Sequence, residues 1–293
     1  MAVWTPAEVA DFGRRLYDKS AKDDVLFLAG GVAYNILLAG VPFFLLLASG
    51  IGYALGATEA DASRAVTSFV LDFFPSAFNG GTFLDPVIRD VVRTRSTAGV
   101  IGAIAFVWFS TRFFGALRTV LDTAMDVPKR HGIFFGKLFD VWLTVAAAGL
   151  VTAWIGMSAY FVLARTRGVA LLSEMGLHAE SLMGPLTYWT GRLVTFVLLV
   201  TIFFGLYKVL PNRRVRREQA LIGAVSAALL FELARQLFAW AVSAWNPASL
   251  YSGTLATVVV VVFWVYYAAL IVIIGAEASQ VHEGLREARL KAK

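Results

Sequence analysis

Cysteine is absent from the 293 residues, which excludes disulfides and thiolate metal sites. The three histidines, His131, His178 and His282, fall in expected loops and tail without ligand-like spacing, so no metal or other cofactor is expected. The acids are dispersed, which argues against a metal-dependent nuclease. No P-loop or dinucleotide fingerprint is present, and ATP hydrolysis is not expected. Intramembrane proteolysis fails as well: there is no HExxH, no histidine in an apolar run, and Gly156-Met157-Ser158-Ala159 lacks both a second glycine and a base. The chain therefore reads as no enzyme. Charge is also scarce, at 16% against about 25% in soluble domains, while 58% of residues are hydrophobic. A soluble domain could not cover that much apolar surface.

What is present is long uncharged runs. Leu255 to Ala276 is twenty-two residues without a charge, and at about 1.5 Å per helical residue it covers a hydrocarbon core of about 30 Å. The β-branched stretch Val258 to Val262 would suit a strand in water, but in lipid every backbone N–H of a lone span needs an internal partner, so the span must be helical. With charges as punctuation, six spans emerge at about 25–56, 98–117, 141–164, 186–210, 220–245 and 254–277. The expected fold is an all-α polytopic integral membrane protein. The first run exceeds one straight crossing, and Gly30, Gly31 and Pro42 predict that it is tilted or kinked. Asn246-Pro247 and Ser252-Gly253 predict a tight hairpin between the last two spans. Small residues, Gly149, Ala153 and Gly156 in the third span and Gly223, Ala224, Ala227 and Ala228 in the fifth, allow close helix approach.

No apolar signal-peptide core precedes a cleavage site, so the first span is expected to be retained. With both termini inside, that side collects seventeen Lys and Arg against six on the other. Basic bias of this kind predicts that both ends are cytoplasmic. The net charge of +6 follows from that topology and from contact with anionic lipid headgroups, and is no sign of nucleic-acid binding.

Outside the spans, residues 1–24 form a cytoplasmic amphipathic helix. Thr5-Pro6-Ala7-Glu8 has the form of a capping box with proline first, and Trp4 and Val9 are placed for a hydrophobic staple. Val9, Phe12 and Leu16 share a face that fits either the membrane surface or the bundle. Residues 57–96 are expected to form an extracytoplasmic pair of amphipathic helices, capped at Thr58 and at Asp85-Pro86. Residues 278–293 form a basic cytoplasmic tail.

Candidate binding residues are the ionisable ones inside the spans, where a central charge costs about 2.5 to 3.5 kcal/mol and must be paired or hydrated. Glu232 and Arg235 lie about 18 and 22 Å into the fifth span, beyond easy snorkelling, and share a face with Gln236. They form either a self-neutralised pair or one wall of a polar cavity that receives part of a substrate. Arg112 and Arg192 are each within about 9 Å of an interface and within reach of it. Glu277 closes the last span, where a salt bridge to nearby basic residues would also account for it.

Four stretches resemble one family. AYNILLAGVPFFLLL with Tyr34 and Pro42, STRFFGALRTVLDTAMD with Arg112, VLPNRRV with Pro211-Asn212, and YSGTLATVVVVVFWVYYAALIVIIGAE are similar to the signatures of the YihY/BrkB family of bacterial inner-membrane proteins. Asn35, Ala39-Gly40 and Ser252 depart from its pattern. The resemblance covers roughly residues 20 to 280. It implies a six-helix protein associated with envelope integrity and suspected of moving lipid or another envelope component, and it adds Tyr34 to the candidate contacts. The ribonuclease label once attached to the family does not fit these residues. Two readings follow: a transporter or lipid translocator whose charges line a hydrated route, or a non-transporting scaffold with closed ion pairs that binds envelope protein partners. Homo-oligomerisation is compatible with both.

Overall fold

The computed structural model describes residues 6–55, 95–127, 142, 193, 196–245 and 253–291. These residues are mostly helical, joined by short turns, and include no strand. The elements are α1 (Pro6–Lys22), α2 (Val25–Leu55), α3 (Arg95–Ala124), α4 (Phe196–Val209), α5 (Arg217–Trp245) and α6 (Gly253–Lys291). Among the described residues, three stretches are long and apolar enough to cross a membrane: Ile104–Ala124, Arg217–Ala241 and Val258–Lys291. A fourth crossing results if the bent pair Glu8–Lys22 and Val25–Gly40 counts as one. The expected third span, the helical pair over 57–96 and the turn at 246–252 lie outside the described residues.

Helix boundaries follow local chemistry. α1 starts at Pro6, whose missing N–H costs nothing at the first position, and carries Glu8 in its first turn and Lys19 and Lys22 in its last, matching the helix dipole. It stops at Asp23-Asp24. Asp24 takes φ of 50°, and its carbonyl accepts from the N–H groups of Phe27 and Leu28, which starts α2 at 64° to α1. α2 then continues through Pro42 without a break. α3 closes with a Schellman turn: Val127 N–H donates to the Asp122 carbonyl, Asp126 N–H donates to Thr123, and Asp126 occupies the left-handed position at φ 52°. α6 holds 39 residues, about 58 Å, so its second half extends past any bilayer core as the helix carrying the basic tail.

Helix α2 packs along α3 and α6, and α5 along α6. The buried stripe Val25, Ala29, Val32 and Ala33 of α2 repeats at helical spacing and meets Leu117, Val120, Leu121 and Ala124 of α3. Between α5 and α6 the expected small residues are buried, and Gly223 lies so close to α6 that a Cβ there would meet the Gly275 carbonyl oxygen at 2.8 Å. Backbones that approach this closely gain dispersion contacts, which is how helices bind in a solvent as apolar as their own side chains.

Candidate functional site

The sequence candidates fall into separate places. On α5, Arg235 Nη2 lies 3.0 Å from both carboxylate oxygens of Glu232, and Gln236 Nε2 donates to Glu232 Oε1 at 3.2 Å. The i, i+3, i+4 spacing thus builds a neutralised cluster within one helix turn, about 22 to 27 Å from the start of α5. It is not sealed: the Arg235 and Glu232 side chains are 34% and 23% exposed. Arg112 sits about 18 Å before the end of α3, exposed and without a described polar partner. Tyr34 is exposed on α2. Arg192 lies outside the described residues.

Glu277 belongs to a second cluster, at the end of the bundle where α1, the end of α3, the α4–α5 turn and the second half of α6 meet. It is 0% exposed, and its Oε2 accepts from the Ser20 hydroxyl of α1. One residue away, Lys19 Nζ donates to Asp23 at 2.9 Å and to both oxygens of Asp126 at 3.0 Å. Burial works against the Lys19 charge, but hydrogen bonds to Asp23 and Asp126 outweigh it and hold the ammonium above its usual range. The left-handed turn at Asp126 aims that carboxylate at α1. Glu277 lies level with Gly223 and so about 14 Å along α5 from Glu232. The two clusters are therefore distinct sites.

Two features of this end carry little signal in the sequence. Asp122 of α3 accepts from the Asn212 backbone N–H at 2.8 Å and from its side-chain amide, locking the turn after α4 to α3. Tyr207 of α4 is completely buried, and its hydroxyl donates to the Val272 carbonyl at 2.8 Å. That reach depends on Gly275, where a Cβ would run into the Tyr207 hydroxyl. The outer rim holds Arg289–Glu8 at 2.6 Å, Arg286–Glu218 at 2.9 Å and Arg216–Glu283 at 3.5 Å. Basic residues from separate predicted loops thus share one end of the bundle. α1 packs on α6, with Phe12 and Leu16 half-buried and Val9 exposed.

Compared with known proteins, residues 16–293 match the family model described as virulence factor BrkB. The chain belongs to the BrkB family. The UPF0761 membrane protein of Vibrio cholerae serotype O1 is 30% identical over 271 residues, 92% of this chain and 86% of its own. That of Pseudoalteromonas atlantica is 25% identical over 282 residues, 96% of this chain and 88% of its own. The Chlorobium limicola UPF0761 membrane protein is 29% identical over 94% of this chain and 59% of its own length. No solved structure matches. The protein is thus a membrane protein of the BrkB family, and its signature stretches meet in space. Asp122 of the second holds Asn212 of the third, and Tyr266 of the fourth donates to the Leu26 carbonyl at 3.2 Å, beside the first.

Proposed function

We propose that this BrkB-family protein moves an anionic amphiphile, in the simplest case a phospholipid, within the bacterial cytoplasmic membrane and so maintains the envelope. The observation that carries the reading is the partly exposed Glu232–Arg235–Gln236 cluster deep in α5. A charged pair at that depth that keeps accessible surface is disfavoured against hydrocarbon and favoured against water or a polar headgroup. Arg235 then offers a guanidinium to a phosphate and Glu232 keeps it oriented between visits. Arg112, exposed at similar depth on α3, extends the path. Both termini face the cytoplasm in this reading, with the basic rim of α1, α5 and α6 against anionic headgroups. The protein binds lipid and no nucleic acid, and catalysis is assigned to none of its residues.

Reconstitution tests this. Full-length protein in liposomes carrying fluorescent phosphatidylglycerol should redistribute the label between leaflets faster than empty vesicles. Arg235→Ala and Glu232→Gln should lose most of that rate. Wild-type vesicles no faster than empty ones across several lipid classes would support the other reading, in which the self-paired charges belong to a scaffold for envelope proteins or for a second copy of the chain.

A further inference from the structure

The second cluster contains a group that its surroundings only half satisfy. Glu277 has no accessible surface, yet among the described residues only Oε2 is engaged, by Ser20, and Oε1 has no hydrogen-bond partner there. A carboxylate stripped of water and given one neutral donor is costly, whereas the neutral acid tolerates the same setting. The charged groups acting on it are Asp23 in the α1–α2 turn, Lys19 of α1 and Asp126 at the end of α3. Gly223 of α5 packs on Gly275 and Ser279, the face of α6 turned away from Glu277, and Glu218 of that helix is engaged with Arg286. The Tyr207 hydroxyl of α4 is taken by Val272, and the adjoining stripe of α2 is apolar. Lys19 is the one ammonium in this set, and it is committed to Asp23 and Asp126. Those two partners differ: the Asp126 side chain is 57% exposed, so water can replace Lys19 there at little cost, and the Asp23 side chain is buried slightly more deeply than Lys19 itself.

We propose that Glu277 is a proton-binding site whose occupancy decides whether α1 is tied to α3. With the proton bound, the neutral carboxyl accepts from Ser20 and Lys19 bridges Asp23 and Asp126, which is the arrangement in the structure. When the proton leaves to water, the buried carboxylate recruits the Lys19 ammonium, which precedes Ser20 in the same turn of α1. Lys19 keeps Asp23 and releases Asp126 to solvent. One proton is exchanged and no other group changes its charge. The sharp bend at Asp23-Asp24 supplies the hinge on which α1 moves. This switch is independent of what the protein transports.

The absence of cysteine makes the test direct. Full-length protein carrying Tyr17→Cys on α1 and Thr123→Cys on α3, both exposed positions, takes a pair of nitroxide labels without background. In nanodiscs of phosphatidylethanolamine and phosphatidylglycerol, pulsed electron resonance should show one short distance at acid pH and a longer one gaining population as pH rises. Infrared difference spectra of the same samples should show a protonated-carboxyl stretch that titrates with the distance change and is missing in Glu277→Gln. Glu277→Gln should stay in the short state at every pH, and Lys19→Gln should leave it at every pH. A wild-type distance that ignores pH would overturn the proposal, as would a shift that persists in Glu277→Gln. The wild-type infrared titration decides the matter alone if the variants do not fold: no carboxyl signal following the distance change also overturns it.

Discussion

Asp122 grips Asn212 twice, accepting from its backbone N–H at 2.8 Å and from its side-chain amide, and so joins the last turn of α3 to the turn that starts α5. Hydrogen bonds to a charged acceptor in a half-buried site are worth about 1.5 to 3 kcal/mol each, more than an exposed ion pair. Asp122→Ala should therefore destabilise the protein by about 2 to 3 kcal/mol, and Asn212→Ala by less, since its backbone donor remains. Thermal unfolding in detergent, followed by loss of monodisperse protein, measures this; equal melting temperatures for wild type and Asp122→Ala would contradict it.

The contact of Tyr207 with Gly275 predicts a coupled pair. Tyr207→Phe removes one buried hydrogen bond and should cost about 1 kcal/mol. Gly275→Ala forces the new methyl against the Tyr207 hydroxyl and the Ala227 side chain and should cost about 1 to 3 kcal/mol. In the double variant one of those two clashes is gone. The combined cost should fall below the sum of the singles by at least about 0.5 kcal/mol in a double-mutant cycle. Strict additivity would count against the wedge.

The α5 ion pair separates structure from transport. Glu232→Gln alone leaves Arg235 charged without its carboxylate, and Arg235→Ala alone leaves Glu232 unbalanced. Each should lower folded yield more than Glu232→Gln with Arg235→Gln together, because removing both charges removes the desolvation problem. The double variant should fold near wild-type yield yet show no lipid redistribution above empty vesicles. A double variant that folds and still transports would take the route away from these residues.

Ion pairs at the polar end should differ in weight according to exposure. Arg289–Glu8 and Arg286–Glu218 lie on the rim, and Arg289→Ala should change stability by no more than about 0.5 kcal/mol, less still in high salt. Lys19, 14% exposed and holding two carboxylates, should cost about 1 to 3 kcal/mol when changed to Ala. Melting temperatures at low and high salt check both; a larger loss for Arg289→Ala than for Lys19→Ala would reverse the ranking.

Much of the architecture is legible in the residues. Pro6 and Glu8 announce the start of α1, and the charge-free runs place the starts of α2, α3, α5 and α6 close to where the helices begin, while α3 and α6 run on past the expected ends at 117 and 277 to Ala124 and Lys291. The Glu232–Arg235–Gln236 cluster is readable because its partners are three and four positions apart on one helix. Glu277 is readable only as an isolated acid at the end of a span. Ser20 stands 257 positions from it, and Asp122 stands 90 from Asn212. No local pattern reports contacts at that separation.

Hydropathy and charge placement by themselves decided that this chain is a helical membrane protein, because the bilayer imposes a length and a backbone-pairing rule that any sequence must meet residue by residue. Which polar groups meet was settled only by the packing of the helices. The left-handed turns at Asp24 and Asp126, the close approach of Gly223 to Gly275, and the burial of Glu277 against Ser20 arise where distant segments converge, and such convergence is a property of three-dimensional contact rather than of sequence order.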